Sequence, residues 1–357
     1  MAGNYLFKEY EAEDYVAIAE ETARWIKTTE KITPFGKRWE QSPDSEEDFS
    51  DYPMLTEKAL YGGSAGVGLF YLRLYQVTGK EEYLLEAKAA AADIIATDEG
   101  KAFYENTLEH TKGTVDKLVH VKNMPGWKIG YYNGPTGSAY LVLKLYEVTG
   151  EKVYKDYVVK DAAAYIQGIA VGDGEAVLVP YLDSLERGPS TEFYYLGTCH
   201  GPAGTALLFE ALYTITKEKE YLDWVRRLSR GIIKAGAPEN YSRGYWRSQA
   251  LCCGTPGLLE HFISVYKLTG EEEFLNYAKR TARTVIGQSH VDDRKNDIYK
   301  ADNSRRWLGN WWRTIPQDVH SYSGLYIGTA GNAWSLLSLA GVLKNEKYIE
   351  LVEYNYQ

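Results

Sequence analysis

Three cysteines and one histidine fall in two dipeptides, Cys199-His200 and Cys252-Cys253, and the 357-residue chain holds no other cysteine. Each dipeptide stands directly before a G-x-x-G tetrapeptide, at 201–204 and 254–257. Thiolate and imidazole are donor types that zinc prefers, and a catalytic zinc needs three protein donors and one open position. Cys199, His200, Cys252 and Cys253 are therefore candidate zinc ligands, provided the two dipeptides meet in space. Taken singly, each cysteine is as readily a small buried hydrophobe. Adjacent residues bind one metal only where the backbone turns sharply.

The tetrapeptides belong to a repeat. G-x-x-G recurs at 63–66, 134–137, 201–204, 254–257 and 328–331, at intervals of 71, 67, 53 and 74 residues. Each is followed by an apolar-periodic run, and the Gly or Lys that ends it lies 13 residues after the second glycine. A charged, aromatic-containing stretch follows, again with apolar residues at helical spacing. The unit is a glycine loop, a helix of about 12 residues, a Thr-Gly turn and a second helix. Pro135, Pro202 and Pro256 suit the first helical turn, and Gly79, Gly150 and Gly270 the left-handed position past its end. Such units stack as an open solenoid or close into a ring, and in a ring the five glycine loops meet at one mouth. The expected fold is an all-α toroid of helical hairpins, one domain over residues 1–357. Residues 42–51, 100–127 and 289–304 read as surface loops.

The slots before the glycines then become informative. They hold Tyr61-Gly62, Tyr132-Asn133, Cys199-His200, Cys252-Cys253 and Tyr326-Ile327. Cysteine occupies the first slot in two consecutive repeats, so matching positions of neighbouring units bring Cys199, His200, Cys252 and Cys253 face to face.

Composition narrows the partners. A formal net charge of −9 and a pI near 5.4 argue against nucleic acid and anionic membrane. No apolar stretch approaches the length of a membrane span, and residues 1–15 carry four acids with no apolar core of a secretory signal. Few, unpaired cysteines fit a reducing compartment, so a cytoplasmic protein is expected. The 31 tyrosines suggest a cavity or interface lined by rings with polar tips.

The repeated glycine hairpins, with CHGPAG at 199–204 and CCGTPG at 252–257, resemble the lanthionine synthetase C-like family from about Tyr61 onward. The resemblance implies a closed α/α toroid with a central zinc held by two cysteines and a histidine. It implies a cyclase that adds a peptide cysteine thiol to dehydroalanine or dehydrobutyrine, forming a thioether. A dehydrated precursor peptide is the implied partner, supplied by a dehydratase. The family carries one cysteine in its penultimate motif, matched by Cys252, and a Cys-His pair in its last, where this chain has Tyr326-Ile327. His200 matches a family histidine that transfers protons, and Arg247 stands near a family arginine before the zinc-binding cysteine. No match to the family's aspartate is found. Two readings follow: the zinc site has moved one repeat back, or it is lost.

Conjugate addition needs a proton for the enolate carbon and a donor for its oxygen. His200 suits the first role if it is not a ligand, and Arg247 the second. His261, inside a periodic apolar run, reads as a packed histidine. The segment WLGNWWRT at 307–314 reads as an insertion docked on the ring. Two other functions stay open. A carbohydrate-active α/α barrel, a glycoside hydrolase or epimerase, would use acids such as Asp183, Glu186 and Glu192. A metal-free, cyclase-like peptide-binding module would fit the absent final Cys-His.

Overall fold

The computed structural model describes residues 11–39, 58–60, 63–98, 127–132, 134–183, 194–242, 244–245, 247–291, 305–311, 315–321, 325–326 and 328–344. A helix, Ala12–Lys27, precedes the repeats. The five motif helices are Ser64–Thr78, Pro135–Thr149, Pro202–Thr216, Thr255–Thr269 and Thr329–Lys344. They run longer than the periodic pattern suggests because each begins inside its glycine tetrapeptide. In the first four, the first glycine is an extended N-cap. The second glycine lies in the first turn, where the carbonyl six residues earlier folds back onto it. A Cβ there would sit 1.8 to 2.4 Å from that oxygen in all five repeats. Only glycine admits that approach.

The other end of the unit is equally local. Thr78, Thr149, Thr216 and Thr269 each donate a hydroxyl to the carbonyl four residues back, at 2.7 to 2.8 Å. The same oxygen accepts the N–H two residues on, so one threonine stitches the helix to the turn. Gly79, Gly150 and Gly270 close the helix at φ 68°, 69° and 71°, and Lys217 takes the same left-handed conformation at 61°.

Burial separates two classes of helix. In Pro135–Thr149, every residue from Pro135 to Leu145 is buried, as expected of a helix covered on all sides. The helix that follows the third motif helix, Lys219–Lys234, buries Tyr221, Val225, Leu228 and Ile232 along one stripe. Glu81–Asp98 and Glu272–Gly287 are its counterparts. In the second repeat the outer helix Lys152–Tyr157 passes through a π-helical segment, Val158–Ala163, into Ala164–Ile169. Motif helices pack side by side in chain order, each paired with its own outer helix where one is described. This is the toroidal α/α arrangement of hairpins.

Short strands, absent from the sequence expectation, form two-stranded ribbons. Trp127–Lys128 pairs with Leu182–Asp183, so the stretch at 100–127 ends in a ribbon across more than fifty residues. Ser289–Val291, expected as loop, pairs with Arg305–Trp307. Trp307 is buried and donates its indole N–H to the Val285 carbonyl at 2.7 Å, docking that insertion on the fourth outer helix. Residues 42–51 lie outside the described residues. Among the described residues, no helix is long and apolar enough to cross a membrane.

Candidate metal centre

The dipeptides of interest sit in tight turns closed by the glycines around them. The Gly201 N–H reaches the Gly197 carbonyl at 2.9 Å, and the Gly254 N–H reaches the Ala250 carbonyl at 2.7 Å. Equivalent slots of successive repeats are joined by main-chain hydrogen bonds. Tyr132 N–H donates to the Cys199 carbonyl (3.2 Å), Cys199 N–H to the Cys252 carbonyl (2.9 Å) and Cys252 N–H to the Tyr326 carbonyl (3.4 Å). The four residues are the same slot of motifs two to five, so matching slots are neighbours in space. Further bonds tie motif one to motif two and motif five to the segment before motif four. The Ser138 hydroxyl reaches the Lys58 carbonyl, and the buried Asn332 amide reaches the Gln249 carbonyl.

Glycines upstream decide how closely the turns stack. A Cβ on Gly130 would meet the His200 Cα at 2.5 Å, and a Cβ on Gly197 would meet the Cys253 Cα at 2.6 Å. The second slot of motifs three and four thus leans on a glycine of the repeat before it. His200 belongs to the junction of motifs two and three, and Cys253 to that of motifs three and four.

The result is a three-sulfur cluster. The Sγ atoms of Cys199, Cys252 and Cys253 all lie within 4.8 Å of one another. Cys199 is buried and the other two are half-buried. Ser248 Oγ stands 3.9 Å from the Cys253 sulfur. Crowding resists ionisation: contacts with Cys252 and Cys253, and burial, hold the Cys199 thiol well above the ordinary range. For Cys252 the bond with Cys199 pulls down, but the bond with Cys253 and burial push the thiol up to about 12. A thiophilic cation supplies the opposite charge that such a cluster needs to deprotonate. The donor set therefore fits a zinc ion, and its chemistry is that of sulfur.

The other candidates lie elsewhere. The His200 ring packs edge-on to Tyr181 and Tyr195, with centroids 5.0 and 5.6 Å away. It is not part of the three-sulfur group. Arg247 has a left-handed backbone (φ 50°), and its guanidinium lies over the Tyr241 ring and donates to the Glu239 carbonyl. The turn around it is fixed by Gln288, whose amide donates to the Arg247 carbonyl at 2.7 Å. His261 is buried, its Nε2 is 3.0 Å from the Ser229 hydroxyl, and burial lowers its pKa to about 3. It is a packed core histidine. Of the acids, Asp183 lies in the ribbon with Trp127, whereas Glu186 and Glu192 fall outside the described residues. Tyr181 and Tyr195, beside His200, carry no sequence signal beyond the general excess of tyrosine.

Residues 199–304 match the family model described as Lanthionine synthetase C-like protein, a stretch that starts at Cys199 and spans both cysteine motifs. Among solved structures, the chain is similar to a protein from Listeria innocua, at 18% identity over 80% of this chain and 73% of that one (TM-score 0.47). It is similar to a family 76 glycoside hydrolase, a mannosidase, from Bacteroides thetaiotaomicron, at 14% identity over 94% and 83% (TM-score 0.49). It is also similar to nisin cyclase, at 11% identity over 94% and 84% (TM-score 0.45). No curated protein matches the sequence.

Proposed function

We propose, with the lanthionine synthetase C-like region at 199–304 as the premise, that the chain adds a peptide cysteine thiol to a dehydroamino acid. The observation that carries this reading is the convergence of the thiols of two consecutive motifs within 4.8 Å. Cys199 and Cys252 are the donors from the two motifs that would hold zinc, at a junction one repeat earlier than the family pattern. A bound zinc ion would keep a substrate thiol ionised near neutral pH. The addition is redox-neutral: a sulfur–carbon bond forms at the β carbon, the C=C π bond breaks, and the proton lost by the thiol is replaced at the α carbon.

His200, next to Cys199 in sequence and ringed by Tyr181 and Tyr195, is the group in this chain that would carry that proton. Arg247 is given no step, because its guanidinium is held on Tyr241 and the Glu239 carbonyl. A cytoplasmic setting suits a site of free thiols. The dehydroamino acid requires an earlier dehydration of serine or threonine by another enzyme.

Addition leaves the peptide mass unchanged, so the test reads loss of an alkylatable thiol. A peptide with one cysteine and one dehydroalanine is incubated with zinc-loaded protein and then alkylated. The expected result is a peptide that resists alkylation with wild-type protein and is fully alkylated with Cys252→Ser. Full alkylation with zinc-replete wild-type protein and peptides of several spacings would overturn the reading.

A further inference from the structure

We infer that Tyr132 and Tyr326 grip the substrate peptide on either side of the thiols. They select an aromatic or branched aliphatic side chain two residues before and two residues after the reacting cysteine. The inference rests on the thiol-addition reading and deepens it by naming the substrate class of that site.

The row of equivalent slots runs Tyr132, Cys199, Cys252, Tyr326, each joined to the next by a main-chain bond of 2.9 to 3.4 Å. A ring therefore stands at each end of the two thiols that the first slots contribute, and slot equivalence carries it to the side those thiols occupy. The two rings are held differently. Tyr132 is half-buried and rests on the buried Tyr131, with 5.8 Å between ring centroids. Tyr326 is 43% exposed, although its carbonyl is tied to the Cys252 N–H. Its turn is tied as well, because the Leu325 carbonyl folds back onto Gly331. An exposed ring on a fixed turn has apolar area to cover and little main-chain freedom to lose when a side chain stacks on it. Main-chain-bonded neighbours lie about 5 Å apart, so the row spans about 15 Å from ring to ring. An extended peptide rises about 3.3 Å per residue, which puts each ring about two residues from a cysteine set opposite the thiols.

The test separates binding from addition. Inert peptides, with serine for the reacting cysteine and alanine for the dehydroamino acid, carry either phenylalanine or glycine at both flanking positions. Calorimetric titration of the wild-type protein is expected to favour the phenylalanine peptide, with about two- to tenfold in affinity from each ring. Tyr326→Ala should lose one such factor and Tyr326→Phe should keep it. Tyr132→Leu, which leaves an apolar group on Tyr131, should lose the other. With reactive peptides the same preference should fall on KM rather than on kcat. Equal affinity of the wild type for the two inert peptides would overturn the inference. So would a preference that survives in the Tyr132→Leu, Tyr326→Ala double variant. Thioether formation without the preference removes the inference and leaves the proposed function standing. The preference without any thioether removes the proposed function and leaves the two rings as a peptide-binding pair.

Discussion

The junction of motifs two and three and the junction of motifs three and four are built on one backbone plan. Each is crossed by a main-chain bond between equivalent slots, and each has a glycine pressed against the second slot of the next motif. Their side chains could hardly differ more. The first gathers Tyr132, Tyr181, Tyr195 and His200, and the second gathers three thiols. Glycines and peptide groups set the frame, whereas the slot residues and the rings beside them set the chemistry. On the proposed function, proton transfer and soft-ion binding would be neighbours without sharing a residue.

The comparison can be broken at its strongest point by Cys199→Ser. Cys199 is the one thiol contributed by the third motif, and its loss should weaken zinc binding by more than about 100-fold in a chelator competition, beyond the usual effect of an outer-shell change. Equal affinity in the variant would remove motif three from the site. Next in size is Gly204→Ala, which puts a Cβ 1.8 Å from the Thr198 carbonyl and 2.9 Å from the Tyr131 Cβ. It strikes the loop shared by both junctions and should cost about 2–3 kcal/mol in urea unfolding. Gly79→Ala faces open space and meets only the left-handed φ of 68°, so about 1 kcal/mol is expected. Equal costs would show that the carbonyl approach at the mouth relaxes freely.

A histidine away from both junctions sharpens the comparison through pH. The His261 ring stays neutral in the folded protein down to about 3, whereas the unfolded chain takes up its proton near 6.5. Between those values the unfolded state binds more protons, so the stabilising effect of the neutral ring is present above 6.5 and is lost as pH falls. The expected slope is about 1.4 kcal/mol per pH unit. Unfolding curves at several pH values should lose that slope in His261→Gln. A slope that survives His261→Gln assigns it to another group.

The hairpins were legible because their signals are local. Thr78, Thr149, Thr216 and Thr269 each make two bonds within six residues, and the left-handed turn needs only one permissive residue. Lys217 shows that permission is enough and glycine is not obligatory. The ribbon of Trp127–Lys128 with Leu182–Asp183 was invisible because two residues have no period, and the partner lies far along the chain. Matching slots foretold that Cys199 would meet Cys252 and Cys253. Adjacency in sequence then misleads about His200, because consecutive residues in a tight turn face different neighbours. For Arg247, nothing in the sequence signals its left-handed backbone or its seat on Tyr241.

The bonds linking Tyr132, Cys199, Cys252 and Tyr326 all run in one sense, N–H to the carbonyl of the following motif. Position around the mouth therefore behaves as a coordinate, and a residue placed in the first slot acquires its main-chain acceptor from the repeat that comes after. A binding site on such a frame is portable. Exchanging side chains at corresponding slots would move a donor set by one repeat without altering the main-chain bonds that join those slots.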